Sequence, residues 1–161
     1  MSAPEHLAVR AATGEDAAAV ASIWHRGWQG HLGNVPDELT RVRTKRSFWT
    51  RTRERVADTT IAEVDGRVAG FIMVVGDEVE QVYVEEAHRG TGVAAALLAE
   101  AERQVRAGGH HAAWLAVVAG NAPARRFYAK HGWVDEGLFE YRAAGPEGPI
   151  TVPCRRYAKA V

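Results

Sequence analysis

Arg89-Gly90-Thr91-Gly92-Val93-Ala94 has the composition of a phosphate cradle. It follows an apolar strand-like run, Val79 to Val84, and opens an apolar-periodic helix expected from about Gly92 to Ala107. A glycine-rich turn leading into a helix leaves several backbone N–H groups without internal partners. These converge on one spot, and the helix dipole adds positive character there. The ligand this suits best is the pyrophosphate of a nucleotide-like cofactor. Other residues of chemical interest flank the loop: Glu78 and Glu80 upstream, Asn121 and Tyr128 downstream, and Trp24, Trp28 and His31 near the start.

These residues need a scaffold, and the pattern supplies one. His6 to Ala11 reads as a first strand. Thr13, with Asp16 three residues on, forms a capping-box start for a helix carrying Ala17, Val20, Ala21, Ile23 and Trp24 and ending near Gly27. Gly30, Gly33, Asn34 and Pro36 mark a loop, and Pro36-Asp37-Glu38 starts a second helix. Another helical stretch is expected from about Thr44 to Val56. Thr59 to Val64 and Arg67 to Val75 are strands joined by Asp65-Gly66, a two-residue hairpin signal. Glu78 to Val84 is the next strand, followed by the glycine loop and its helix, which Gly108-Gly109 closes. Ala113 to Val118 is a short buried strand and Ala122 to His131 a helix. Trp133 to Tyr141 and Ile150 to Tyr157 form a last pair of strands. The order is a mixed α/β domain without the repeated βαβ units of a doubly wound nucleotide fold.

Two cofactor families fit a glycine loop of this kind. Gly90-x-Gly92-x-x-Ala95 matches the dinucleotide pattern G-x-G-x-x-G/A, but that reading needs an acid at the end of the following strand to hold a ribose hydroxyl. Trp114 to Val118 is followed by Ala119-Gly120-Asn121, and no acid is there. The second pattern begins one residue earlier. Arg89, Gly92 and Ala94 satisfy R/Q-x-x-G-x-G/A, which resembles the acyl-CoA pyrophosphate loop of the GNAT superfamily of N-acetyltransferases. Val82-Tyr83-Val84 stands where that family has the strand beside pantetheine. Asn121, Ala124, Phe127-Tyr128, His131-Gly132 and Trp133 resemble its later motif. Trp24, Trp28, Gly33 and Pro36-Asp37 are similar to a front end often seen in its small-molecule acetyltransferases. Ala94 stands where glycine is more usual, a change the pattern allows.

The resemblance implies a GNAT-like fold: a mostly antiparallel, twisted sheet of six or seven strands, splayed at the cofactor site, with helices on both faces. It implies acetyl-CoA as co-substrate and a primary amine as acceptor, with no metal. An acetyl thioester is already activated, so the protein mainly has to position it against the amine, supply donors to the carbonyl oxygen, and manage two protons. By the same resemblance, the residues Gly90, Thr91, Gly92, Val93, Ala94 and Ala95 wrap the pyrophosphate, and Arg89 adds a cation. Backbone groups of Val82, Tyr83 and Val84 line the pantetheine arm, with the Val84 N–H on the acetyl carbonyl. Asn121 contacts the pantetheine region and can also cap the helix that follows it. Tyr128 stands where the family often has its general acid.

Strand alternation puts Glu78 and Glu80 on the face of Val82 and Val84, where either could take the ammonium proton directly or through water, Glu80 being the nearer. Trp28 and His31 are expected to wall the acceptor, and the two acids on the far side suit a cationic amine. The arginine-rich segment from Arg41 to Arg55 reads as the wet face of an amphipathic helix, with Val42, Phe48, Trp49 and Val56 as its dry face. His110-His111 lacks a third ligand for zinc.

The bulk properties agree with a single domain of 161 residues. With 20 basic and 20 acidic residues there is no global pull toward nucleic acid or an anionic membrane. Cys154 is the only cysteine, which removes internal disulfides and Cys-based zinc sites. Met1 to Arg10 has no leader pattern and no run approaches a membrane span, so the chain reads as cytoplasmic. Homodimers are common in the superfamily. A protein N-terminus or lysine as acceptor, or an acyl-CoA-binding module without turnover, are the alternatives.

Overall fold

The computed structural model describes residues 6–161; the first five residues, where the leaderless reading begins, lie outside it. One seven-stranded sheet runs through the molecule in the order β1-β2-β3-β4-β5-β7-β6. The strands are β1 (Leu7–Ala11), β2 (Thr59–Val64), β3 (Arg67–Val75), β4 (Glu78–Val84), β5 (Ala112–Val118), β6 (Val134–Ala143) and β7 (Ile150–Ala160). Five helices accompany it: α1 (Ala17–Trp28), α2 (Asp37–Val42), α3 (Lys45–Glu54), α4 (Val93–Ala107) and α5 (Ala122–Lys130). All neighbouring strands are antiparallel except β4 and β5.

Local chemistry accounts for most boundaries. Asp65 and Gly66 both take positive φ, 52° and 78°, the geometry a two-residue hairpin needs. Asp16 accepts the backbone N–H of Thr13 at 2.8 Å and two bonds from Arg10 (2.8 and 2.9 Å), which fixes the entry to α1. The first turn there is a 3₁₀ turn, Gly14–Asp16. Thr44 caps α3 by accepting from the N–H of Ser47 at 3.1 Å.

Each face of the sheet has its own core. Val93, Leu97, Leu98, Ala101 and Val105 form the buried stripe of α4 against Ala62, Ile72, Val79 and Leu115. Each fully buried aliphatic side chain of this kind contributes roughly 1.5–3 kcal/mol. On the other face α1 and α3 bring Val20, Ile23, Trp24, Trp28 and Phe48 against Ile61, Phe71 and Met73.

Two irregularities in β4 matter for the site. Met73 lies opposite Gln81 but Val74 lies opposite Val79, so Glu80 is an extra residue, a β-bulge. The second is a split. β4 meets β5 at a single pair, Glu78 opposite Trp114, where the Trp114 N–H donates to Asp77 O and its indole Nε1 to Asp77 Oδ1, both at 3.0 Å. Beyond that clamp the two strands diverge.

Candidate active site

The glycine loop is built as a cradle of donors. Gly90 and Gly92 take φ of 73° and 93°, a region that side-chain-bearing residues resist. Thr91 Oγ1 donates to His88 O and pins the turn. After Arg89, the first backbone N–H that finds a backbone acceptor is that of Ala96, on Gly92 O at 3.0 Å. The N–H groups of Gly90 to Ala95 are therefore available at the start of a four-turn helix. Arg89 is exposed beside them, and Arg89 and Ala94 reach the rim of the large cleft. A pyrophosphate fits this donor set in both charge and number of N–H groups.

That cleft, about 1270 Å³, passes along the gap between β4 and β5 and is lined from both faces of the sheet. The gap leaves backbone groups free. Glu85 donates to Ala69 O at 2.7 Å, so the peptide groups of β4 alternate from there: Tyr83 points to β3, and Val82 and Val84 point into the gap. Asn121 stands at the β5–α5 turn. Its Oδ1 accepts from the Ala124 N–H at 3.3 Å, capping α5, while its amide nitrogen has no partner among the described residues. Tyr128 lines the same cleft from α5, 9% exposed, between Phe127, Trp133 and Tyr157. Its hydroxyl makes no hydrogen bond among the described residues, and burial raises the phenol pKa above its ordinary value.

The bulge changes the reading of the acids. Alternation alone puts Glu78 and Glu80 on the face of Val82 and Val84. In the structure Val82 and Val84 pack with Val79 on the α4 side, and the two acids face α1 and α3 with Tyr83, because the inserted Glu80 reverses the phase. Both acids are engaged. Glu80 accepts from Arg55 Nη2 at 2.9 Å and Nη1 at 3.4 Å, and lines the cleft. Glu78 accepts from the Tyr141 hydroxyl at 2.6 Å, and burial raises its pKa.

The other end of the cleft is aromatic and cationic. Trp24 and Trp28 are both buried, at 1% and 7% exposure, and both also line the cavity. His31 Nε2 lies 3.1 Å from the Tyr83 hydroxyl, and burial lowers the His31 pKa. Tyr83 stacks on Phe71 with ring centroids 5.7 Å apart.

Several arginines read from the sequence as a wet face belong to this wall. Arg43 is 8% exposed and donates to Ala144 O at 2.5 Å. Arg51 lays its guanidinium over the Trp24 ring, 4.4 Å from the centroid. Burial, with Arg43 and Arg55 nearby, pushes the Arg51 pKa down to about 10. Trp49, expected on the dry face, is instead exposed under Arg53. The sequence did carry the signal: Phe48, Arg51 and Arg55 recur at helical spacing, so two arginines share the face of a core phenylalanine. Two further residues went unread. A Cβ at Gly27 would lie 2.3 Å from Tyr83 Cδ1, and one at Gly120 would lie 2.6 Å from Asn34 Oδ1. Both glycines let the front loop and helix close on the sheet.

Among the described residues no group of three or more His, Cys, Asp or Glu could hold a metal ion, and no helix is long and apolar enough to cross a membrane.

Comparison with known proteins agrees with this architecture. Uncharacterised N-acetyltransferases of Mycobacterium bovis and Mycobacterium tuberculosis are 36% identical over 86 residues, half of this chain and 55% of theirs, so the match spans about half the length of those relatives. A GCN5-related N-acetyltransferase structure from Rhodopseudomonas palustris superposes with a TM-score of 0.74 at 23% identity, covering 100% of this chain and 98% of that one. The PaiA N-acetyltransferase of Thermoplasma acidophilum, solved with coenzyme A, gives 0.70 at 18% identity over 96% and 99% of the two chains. YncA of Salmonella typhimurium, solved with acetyl-CoA, gives 0.71 at 19% over 97% and 94%. At these identities the structural likeness speaks for the fold. The profile of the acetyltransferase (GNAT) family matches residues 18–133, a span from α1 to the end of the α5 motif, and the chain belongs to that family.

Proposed function

We propose that this protein is an N-acetyltransferase that moves the acetyl group of acetyl-CoA onto the primary amine of a small molecule. The observation that carries this reading is the single cleft along the β4–β5 split. It joins a loop of free N–H groups to an unbonded Tyr128 hydroxyl and opens onto an aromatic acceptor wall.

Each group has a task in direct transfer. The N–H groups of Gly90, Thr91, Gly92, Val93, Ala94 and Ala95, with Arg89, hold the pyrophosphate. The Val82 peptide and the Asn121 amide nitrogen orient the pantetheine arm beside Tyr83. The Val84 N–H points at the acetyl carbonyl oxygen; one such donor contributes roughly 10²–10³ in rate. Trp28 and His31 wall the acceptor. Glu80, oriented by Arg55, takes a proton from the ammonium through water. The amine nitrogen then bonds to the carbonyl carbon as the carbon–sulfur bond breaks, and the nitrogen's second proton passes to solvent water. Tyr128 gives its proton to the departing thiolate and recovers one from solvent. Glu78, held by Tyr141 and outside the cleft lining, supports the local geometry.

Mixing the protein with acetyl-CoA and a panel of amines, and following free thiol, tests this reading. Amine-dependent thiol release supports it. Acetyl-CoA binding with no release for any amine, peptides included, would leave a binding module.

A further inference from the structure

The acceptor end of the cleft holds more positive charge than the protein itself neutralises. Arg55 is matched by Asp58 and Glu80. Arg43 and Arg51 have no acid within ion-pair distance among the described residues. Arg43 is deeply buried with one hydrogen bond, to Ala144 O, for its five N–H donors. Arg51 has no hydrogen bond at all among the described residues, only the Trp24 and Phe48 rings beneath it. Glu54, three residues on, is exposed and makes no ion pair with Arg51. Partly buried guanidiniums left in this state are costly unless something pairs with them.

The wall around them is ordered. Phe48 and Trp24 pack with centroids 5.3 Å apart and fix the plane on which Arg51 lies. Arg43 is tied to the loop before β7. Tyr83, the side chain on β4 next to the proposed transfer point, lines the same cleft as both cations. The two forks are thus held in place with donors to spare, at the acceptor end and on the opposite side of the sheet from the glycine loop.

We infer that the acceptor is a zwitterion-like amine that also carries an oxyanion, in the simplest case a carboxylate, bound by Arg51 and Arg43 while its ammonium faces Glu80. This rests on the transferase reading above and narrows it. Glu78 and Glu80, read from the sequence as a wall suited to a cationic amine, are occupied by Tyr141 and Arg55. The free charge at this end is positive.

The test compares matched acceptors: free amino acids, the same amino acids as amides, and the corresponding decarboxylated amines. Each is assayed with acetyl-CoA by thiol release and, separately, for binding through the change in tryptophan fluorescence that Trp24 should report. The proposal predicts kcat/KM for the acids above that for amides and amines. It also predicts that Arg51→Met lowers the acid-to-amide ratio by about 10- to 100-fold, with Arg51→Lys and Arg43→Lys intermediate. Circular dichroism and thermal unfolding confirm that each variant compared is folded; should Arg51→Met not fold, the two lysine variants decide. Amides and amines serving as well as acids, or an unchanged ratio in the variants, overturn the anion site and leave the transferase reading standing. If no compound turns over, fluorescence decides: carboxylate-selective binding lost in Arg51→Met supports the anion site while the transferase reading fails. Absence of carboxylate-selective binding overturns the proposal.

Discussion

Arg55 grips Glu80 with both terminal nitrogens, at 2.9 and 3.4 Å, and does so on the face of β4 opposite to the one strand alternation assigns. The bulge at Glu80 brings this about. It turns a carboxylate that would have packed under α4 into one that lines the cleft on the α1 and α3 side. Replacing Glu80 by Gln keeps the shape and removes the proposed base. Steady-state kcat with the best amine should fall roughly 10–100-fold, while acetyl-CoA affinity by titration calorimetry stays near the wild-type value. An unchanged kcat assigns the proton to bulk water instead.

Gly27 lies directly beneath the Tyr83 ring. A methyl group there would sit 2.3 and 2.7 Å from Cδ1 and Cε1, so either the ring, already stacked on Phe71, or α1 must shift. Gly27→Ala should cost about 1–3 kcal/mol in urea unfolding and raise KM for the acceptor more than KM for acetyl-CoA. Wild-type stability in this variant would mean that α1 can move away from β4 freely.

His31 is held neutral by burial, with its pKa below the ordinary 6.5. Below that value the unfolded chain takes up a proton that the folded protein resists, so the unfolded state binds more protons and stability falls as pH falls. The loss begins near pH 6.5 and continues down to the folded pKa, at no more than about 1.4 kcal/mol per pH unit. His31→Gln, which can still bond the Tyr83 hydroxyl, should show a shallower decline over that window. Denaturant unfolding of both proteins between pH 7 and 5 checks this, and parallel curves would contradict it.

The proposed cofactor loop is tested through its backbone. Gly92 holds φ of 93° at the cap of α4, and Gly92→Ala should cost roughly 1–2 kcal/mol of stability. It should also weaken coenzyme A binding, measured by calorimetry, as the N–H groups of Val93 to Ala95 lose their alignment. Unaltered affinity would move the phosphate contact elsewhere.

Much of this architecture is visible in the residues. The Asp65-Gly66 hairpin, the run from Glu78 to Val84 and the glycine turn into α4 are local devices, and local chemistry sets β2, β3 and β4 at the boundaries expected. The last strands run further than their pattern suggested, to Ala143 and Ala160, because β6 pairs with β7 up to Ala143 and β5 pairs with β7 out to Ala160, cross-strand pairing that no local signal encodes. The direction of Glu80 was unreadable for a similar reason: a bulge is a property of two strands, and only the partner β3 reveals it. Arg43 and Arg51 were hidden by composition. An arginine on a helix is usually solvated, and only the tertiary placement of Trp24 and Ala144 makes these two part of a wall.

The central claim is that one cleft brings an acetyl thioester, an amine and the Tyr128 hydroxyl together for direct transfer. A single-turnover experiment with protein in excess over acetyl-CoA, quenched rapidly and read by mass spectrometry for the acetylated amine, addresses it most directly. The account predicts acetylamine formed in one exponential phase by the wild type, slowed roughly 10²–10⁴-fold in Tyr128→Phe. An equal rate in the two proteins, or bound acetyl-CoA that yields no acetylamine, would contradict it.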